Sequence, residues 1–368
     1  MKKKNKIAVK NYFICSHATD LYLINYFINK LKLKKEDNIL FYYKDLTKIH
    51  NFKLKDIKNL NKNFEKKIDF NWINLGFSNS FSIEILKNFF KNLQNINKVK
   101  KKINNLKIPE NSNFYFGRET TASISSRIIL SFLKKNNYEN IFTFGIKEPY
   151  TNHNYKISFK SNMIDNFFNF FGVTPVSVRV NEKNVVMQKN ICQSNYKKEF
   201  IFSKINKKIG KKIFVNLDIS KNKKSSKKKI IFVDRGINTL RFYPKSDKKK
   251  YIETLQKIIY LVSKKYKSKF ELIFKIHPRQ NHLDINTYAF KVKFKKIYME
   301  QILEKFKDEI YCIIGITSTA IRISDIYGVK SYTTHKLFNL GENERLSKTM
   351  MNNSEIKSIE NFKDFLKI

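Results

Sequence analysis

Cysteine, acidic residues, glycine-rich loops and long apolar runs are all scarce in this chain of 368 residues. The three cysteines, Cys15, Cys192 and Cys312, lie far apart in apolar surroundings. That excludes a disulfide scaffold and a cysteine metal cluster, and it points to a reducing compartment. No window approaches the 18 or so unbroken apolar residues of a membrane-spanning helix. The opening "MKKKNKIAVKNYFICSHATD" is basic, but its apolar run is too short for a secretory leader. The expected location is therefore the cytoplasm, with a peripheral contact to the inner membrane face. Neither GxGxxG nor GxxxxGK[ST] occurs, which argues against dinucleotide enzymes and P-loop NTPases. No internal repeat and no zinc-finger or RRM signature is present, so no specific nucleic-acid partner is expected.

Base and apolar bulk are plentiful. Lys+Arg 74 against Asp+Glu 31 gives a formal charge of +43. Such an excess suits a polyanionic partner or an anionic surface. A bias toward Lys, Asn, Ile and Phe, the residues of A/T-rich codons, also produces it, and the lysines are spread in ones to threes along the chain. A hydrophobic content of 42% with 14% aromatics supports packed cores, and the length favours two of them.

The pattern along the chain is α/β. A strand over Asn11–Cys15 leads through "SHATD" into a helix with Leu21, Ile24, Phe27, Ile28 and Leu31 at helical spacing, then into the strand "NILFYY". Strand–helix–strand at this spacing is a βαβ unit with parallel pairing. "FSIEILKNFFKNLQ" reads as helix, "NFYFG" as strand, "SISSRIILSFLKKNN" as helix and "NIFTFG" as strand, and the Phe-rich "NMIDNFFNFFGV" reads as an apolar helix. Residues 205–229 hold the longest basic and polar run and read as a linker between an N-terminal domain, 1–204, and a C-terminal domain, 230–368. In the second half "KIIFVD", "FELIFKIH" and "IYCIIGI" are strands. They alternate with helices at "SDKKKYIETLQKIIYLVSKKY", "MEQILEKFKD" and "TSTAIRISDIYG", and "SIENFKDFLKI" reads as a closing helix. Two doubly wound Rossmann-like domains bind ligands at the carboxyl ends of their strands.

Two motifs fall at such strand ends. "KIHPR" places His277 where a β-run stops at Pro278, with Arg279 beside it. An imidazole there either caps the strand or meets a phosphate and assists a leaving group, and Arg279 adds a fork of donors. "GITSTA" places Thr317, Ser318 and Thr319 at the start of a helix, either as an ordinary N-cap or as an anion site. Glu300 opens the helix between them, where it either favours the helix dipole or accepts from a ribose diol.

"KIHPR", followed by "STA" at 318–320 and then "GVKSY", resembles bacterial sialyltransferases: the lipooligosaccharide sialyltransferases of glycosyltransferase family 52 and the capsular polysialyltransferases. The likeness covers roughly residues 230–335, and the N-terminal half matches in layout. It implies a GT-B fold, two Rossmann-like domains facing a cleft, that transfers an acidic sugar from a CMP-sugar donor with inversion. The donor is a substrate, and no metal or cofactor is implied. His277 becomes the group that assists departure of CMP, Ser318 and Thr319 with Thr317 the phosphate site, Arg279 a further donor-side cation and Glu300 the ribose contact. The acceptor would be an anionic surface glycan, lipooligosaccharide or capsule, held by the N-terminal domain. There the family carries an acidic pair that deprotonates the acceptor. This chain has Thr143-Phe144-Gly145 in its place, with Glu148 the nearest carboxylate and Asp20, Glu119 and Asp234 as further candidates. His17, Asp20 and Arg118 complete the acceptor-side set. A CDP-glycerol- or Kdo-type polymer transferase, and a non-catalytic basic module for nucleic acid or anionic lipid, remain as alternatives.

Overall fold

The architecture comes from a computed structural model. It describes residues 9–15, 18–43, 54, 57, 59–70, 89–117, 124–146, 169–173, 178–182, 185–189, 197–219, 228–234, 248–277, 285–295 and 297–338, together with 356–368. The chain divides into two compact units, residues 1–145 with 154–217, and residues 146–153 with 218–368.

The first unit is built on β1 (Asn11–Cys15), β2 (Asn38–Tyr43), β3 (Lys66–Phe70), β4 (Asn113–Gly117), β5 (Ile141–Ile146), β8 (Lys198–Ser203), β9 (Lys207–Ile209) and β10 (Lys212–Asn216). Their spatial order is β3-β2-β1-β4-β5-β8-β10-β9, with parallel pairing from β3 through β5 and between β8 and β10. β9 is antiparallel to its neighbour β10. A separate antiparallel hairpin pairs β6 (Val178–Glu182) with β7 (Val185–Lys189). The helices are α1 (Ala18–Lys30), the short α2 (Leu60–Asn63), α3 (Phe89–Asn104) and α4 (Ile124–Lys135).

Strands buried on both faces read as continuous apolar runs, and these do. Tyr12, Ile14, Phe41, Phe114 and Phe116 face one way, onto Ile96, Val99 and Ile103 of α3 and Ile128, Ile129 and Leu133 of α4. Phe13 faces the other way and stacks on Tyr115 with ring centroids 4.8 Å apart. On that face Phe27 of α1 stacks on Phe144 at 5.2 Å and meets Phe200 edge-on at 5.1 Å. Each fully buried ring of this kind contributes about 1.5–3 kcal/mol. At the opposite end of the strands, asparagines set the register. Asn11 donates to Asn38 Oδ1 at 3.1 Å and accepts from Asn113 at 2.9 Å, joining the first residues of β1, β2 and β4.

The second unit has β11 (Lys229–Val233), β12 (Glu271–Lys275), β13 (Lys291–Val292), β14 (Ile310–Gly315), β15 (Ser331–Thr333) and β16 (Lys357–Ser358) in the order β13-β12-β11-β14-β15-β16. Every pairing is parallel. Counted from β11, this is the 3-2-1-4-5-6 order of a doubly wound nucleotide-binding sheet, whose direction of winding reverses between β11 and β14. The helices are α5 (Lys248–Tyr266), α6 (Met299–Phe306) and α7 (Thr319–Ile326). On α5, Tyr251, Leu255, Ile258, Ile259, Val262 and Tyr266 recur at helical spacing and pack on Phe232, Phe274 and Ile314. Phe232 and Phe274 stack across β11 and β12 with centroids 5.6 Å apart.

Both Rossmann-like halves of the expected architecture are therefore present. Two local expectations are corrected. Residues 205–217 are not linker, because β9 and β10 extend the first sheet there: Val215 of β10 buries beside Phe202 of β8 despite the lysines between them. The chain end is not an α-helix. Lys357–Ser358 is spent as the edge strand β16, and the remainder forms a 3-10 turn over Phe362–Lys367, pinned where Tyr266 Oη donates to Phe365 O at 3.0 Å and Ile368 O at 2.9 Å. Of the helix expected over 81–94, residues 81–88 lie outside the described residues and 89–94 belong to the helix Phe89–Asn104; most of "NMIDNFFNFFGV" also lies outside the described residues.

Candidate functional site

The carboxyl ends of the second sheet are level. Lys275 of β12 pairs with Val233 of β11, Val233 with Gly315 of β14, and Gly315 with Thr333 of β15. Two residues beyond that row stand His277, Thr317 and His335. The chain order thus delivers two imidazoles and a hydroxyl to one edge, on both sides of the switch point.

Gly315 is what lets the helix after β14 come close. A Cβ at this position would lie 2.8 Å from Ile321 Cδ1 and 3.1 Å from Val233 O, so a side chain would push α7 off the strand end. The helix begins at Ser318, whose Oγ accepts from Ala320 N at 3.1 Å. The capping role foreseen for this residue is realised. The hydroxyl hydrogen is left over, because a serine can accept and donate at once. Thr317 is buried, while Ser318 and Thr319 are part-exposed. The first amides of α7 and its dipole favour negative charge at the same place.

His277 is part-exposed at the end of β12. Beneath it lies a group that the sequence reading overlooked. Lys275 is 2% exposed, and its ammonium donates to Ile276 O at 3.3 Å. Burial drives its pKa down to about 8, opposed by attraction to Glu300. Glu300, in the first turn of α6, is also 2% exposed. The carboxylate expected to meet a ribose is thus buried, and its charge attracts the Lys275 ammonium. On the neighbouring strand Asp234 is buried, receives the Tyr251 hydroxyl at 3.2 Å, and donates its backbone N–H to Lys275 O at 3.0 Å.

A second overlooked group follows β15. Thr333, Thr334 and His335 are all buried. Thr334 N–H and its hydroxyl both donate to Gly315 O, at 2.8 and 3.2 Å. Thr333 Oγ1 donates to Ile316 O at 2.5 Å and lies 3.1 Å from His335 Nδ1. With its hydrogen used on Ile316, the threonine oxygen accepts from Nδ1–H, which fixes the tautomer of His335. The signal was present in the sequence: "SYTTH" repeats the relation of "LIFKIH", a strand followed two residues later by histidine.

In the first unit, Asp20 occupies the corresponding switch point between β1 and β4. It is 1% exposed, and its Oδ2 would be 2.2 Å from a Cβ on Gly117, so only glycine at the end of β4 admits the carboxylate. Cys15 is fully buried, and burial with the nearby Asp20 charge pushes its thiol well above the usual range. Ser125, Ser126 and Arg127 at the start of α4 are buried too, and Tyr43 Oη lies 2.8 Å from Ser126 Oγ. His17, Arg118, Glu119, Glu148 and Arg279 lie outside the described residues. Of the expected site residues, His277, Glu300, Thr317, Ser318 and Thr319 belong to the second unit and Asp20 to the first.

No protein-family profile matches the chain, and no curated protein matches it. Solved structures do. The UDP-GlcNAc 2-epimerase from Methanocaldococcus jannaschii aligns over 98% of this chain and 91% of its own, with 11% identity and a TM-score of 0.48. The calicheamicin glycosyltransferase CalG4 covers 96% and 86% with 6% identity and a TM-score of 0.46. MurG from Acinetobacter baumannii covers 95% and 85% with 8% identity and a TM-score of 0.41. Likeness of this degree assigns no activity. No helix among the described residues is long and apolar enough to cross a membrane.

Proposed function

We propose that this chain is a glycosyltransferase that takes a nucleotide-activated sugar at the strand ends of its second unit. The observation that carries the reading is the level row Lys275–Val233–Gly315–Thr333, with His277 and Thr317 two residues beyond it on either side of the switch point. The resemblance of "KIHPR" and "STA" to the sialyltransferases makes the donor a CMP-activated acidic sugar and the acceptor an anionic surface glycan. The phosphate lies against the first turn of α7, where the helix dipole favours its charge and the Ser318 hydroxyl donates to it. His277 hydrogen-bonds the phosphate as the glycosidic bond to CMP breaks, and shares the charge that develops there. A carboxylate takes the acceptor proton, and Glu148 and Asp20 are the candidates for it. All of this chemistry is supplied by side chains and backbone amides, and it takes place on the cytoplasmic side of the membrane.

Thermal stabilisation by CMP, CDP and UDP tests the donor class. Saturating CMP is expected to raise the Tm and His277→Ala to abolish transfer without lowering the Tm of the free protein. If diphosphate nucleotides alone raise the Tm, the chain is a CDP-glycerol-type or related transferase instead. Separate assays of E148Q and D20N identify the base, whose variant loses turnover while still binding CMP.

A further inference from the structure

The edge of the first sheet carries a surface that the transfer chemistry does not use. β9 is the outermost strand, and from Ile205 to Lys211 every residue is exposed. Ile205 is 53% exposed and Ile209 is 51% exposed. Large aliphatic side chains are normally buried, so two of them on one short hairpin call for an explanation. Ile213 and Phe214 of β10 are part-exposed beside them, and β10 runs antiparallel to β9 with Lys208 opposite Ile213. Between Phe200 and Leu217 the sequence holds Lys204, Lys207, Lys208, Lys211 and Lys212 and not one acid.

The hairpin is braced. Asn206 Oδ1 accepts from Asn216 N at 2.9 Å, Asn216 Nδ2 donates to Lys204 O at 2.9 Å, and Gly210 turns the tip at φ +55°. Its isoleucines are therefore presented by a fixed scaffold, and ordering them on contact costs little entropy.

We infer that the β9–β10 hairpin docks this protein on an anionic lipid bilayer, with Ile205 and Ile209 entering the headgroup boundary and the lysines lying on the charged surface. Charge complementarity selects an anionic partner. The exposed isoleucines select a lipid surface over nucleic acid or a soluble polyanion, because those offer no apolar layer for them. A second copy pairing along β9 is disfavoured, since a three-residue edge strand bearing Lys207 and Lys208 repels its own image. The inference is independent of the transferase reading.

Co-sedimentation of the full chain with vesicles of phosphatidylcholine, or of phosphatidylcholine with phosphatidylglycerol, is the test. Wild type is expected to bind the anionic vesicles and to release at high salt. Ile205→Ser with Ile209→Ser, which leaves the charge unchanged, is expected to weaken the partition by about tenfold. Lys207→Glu with Lys208→Glu is expected to weaken it by more than tenfold. Lys264→Glu with Lys267→Glu, an equal charge change on exposed residues of the second unit, is expected to leave most of the binding intact. The replaced residues are exposed, and unchanged melting curves confirm the fold. Equal weakening by the two lysine pairs, or no effect of the isoleucine pair, overturns the inference in favour of diffuse attraction by the net charge. A dimer in solution that disappears with Ile209→Ser overturns it in favour of a second copy.

Discussion

At the scale of single residues, the most informative group is Lys275. Its folded pKa of about 8 lies below the ordinary 10.5, so between those values the unfolded chain holds a proton that the folded chain has released. The penalty for the buried ammonium is complete below pH 8 and disappears as pH rises toward 10.5, and stability rises with pH across that window. For a shift of this size the effect is about 3 kcal/mol. Urea titrations of wild type and Lys275→Met at pH 7 and pH 10.5 check it: wild type should gain about 3 kcal/mol relative to the variant, and parallel curves would contradict the assignment. Ser318 is the other test case. Ser318→Ala removes the acceptor for Ala320 N–H and should cost about 1 kcal/mol, whereas Ser318→Gly should cost only a few tenths. Both residues are read differently before and after folding. Ser318 announced itself through its place ahead of an apolar helix, but Lys275 did not, because a lysine among many is invisible until a strand carries it inside.

At the scale of elements, sequence patterns served best where an element is long or buried on both faces. β1, β2 and β4 begin and end where the apolar runs do, and α5 follows its apolar spacing. What they do not reveal is how elements meet. The three asparagines that open β1, β2 and β4 look like turn residues, yet they form a hydrogen-bonded row that fixes the register of the sheet. Short edge strands were missed for a related reason: β9, β13 and β16 have two or three residues each, too few for alternation to register. Close approach gives the prediction here. Gly315→Ala should destabilise by about 1–3 kcal/mol, as overpacking does. Adding Ile321→Val, which removes the Cδ1 that the new methyl meets, should recover part of that loss in thermal melts. A full loss in the double variant would place the strain on Val233 O instead.

For the whole molecule, the proposed nucleotide site draws on the strand ends of the second unit. Hydrogen exchange with saturating CMP should slow in β12, β14 and the first turn of α7 and stay unchanged in β1 through β4. Protection confined to the first unit would move the nucleotide to the other sheet. The composition changes after residue 204, while the two compact units divide at Leu217 and Asp218. The position of the boundary was not legible, since lysine-rich strands at a sheet edge and a lysine-rich linker look alike when written out.

The sequence by itself determined the class: alternating β-runs and amphipathic helices admit little but doubly wound parallel sheets, because a crossover helix must cover each face. It also placed His277 and the Ser318 cap at strand ends, since a strand's end is marked by its neighbours in the chain. The tertiary structure decided the partners. Lys275 near the Glu300 charge, Thr334 on Gly315 O, and Asp20 over Gly117 are set by which element lies next to which. That order is fixed by hydrogen bonding between segments far apart in sequence, which no local pattern encodes.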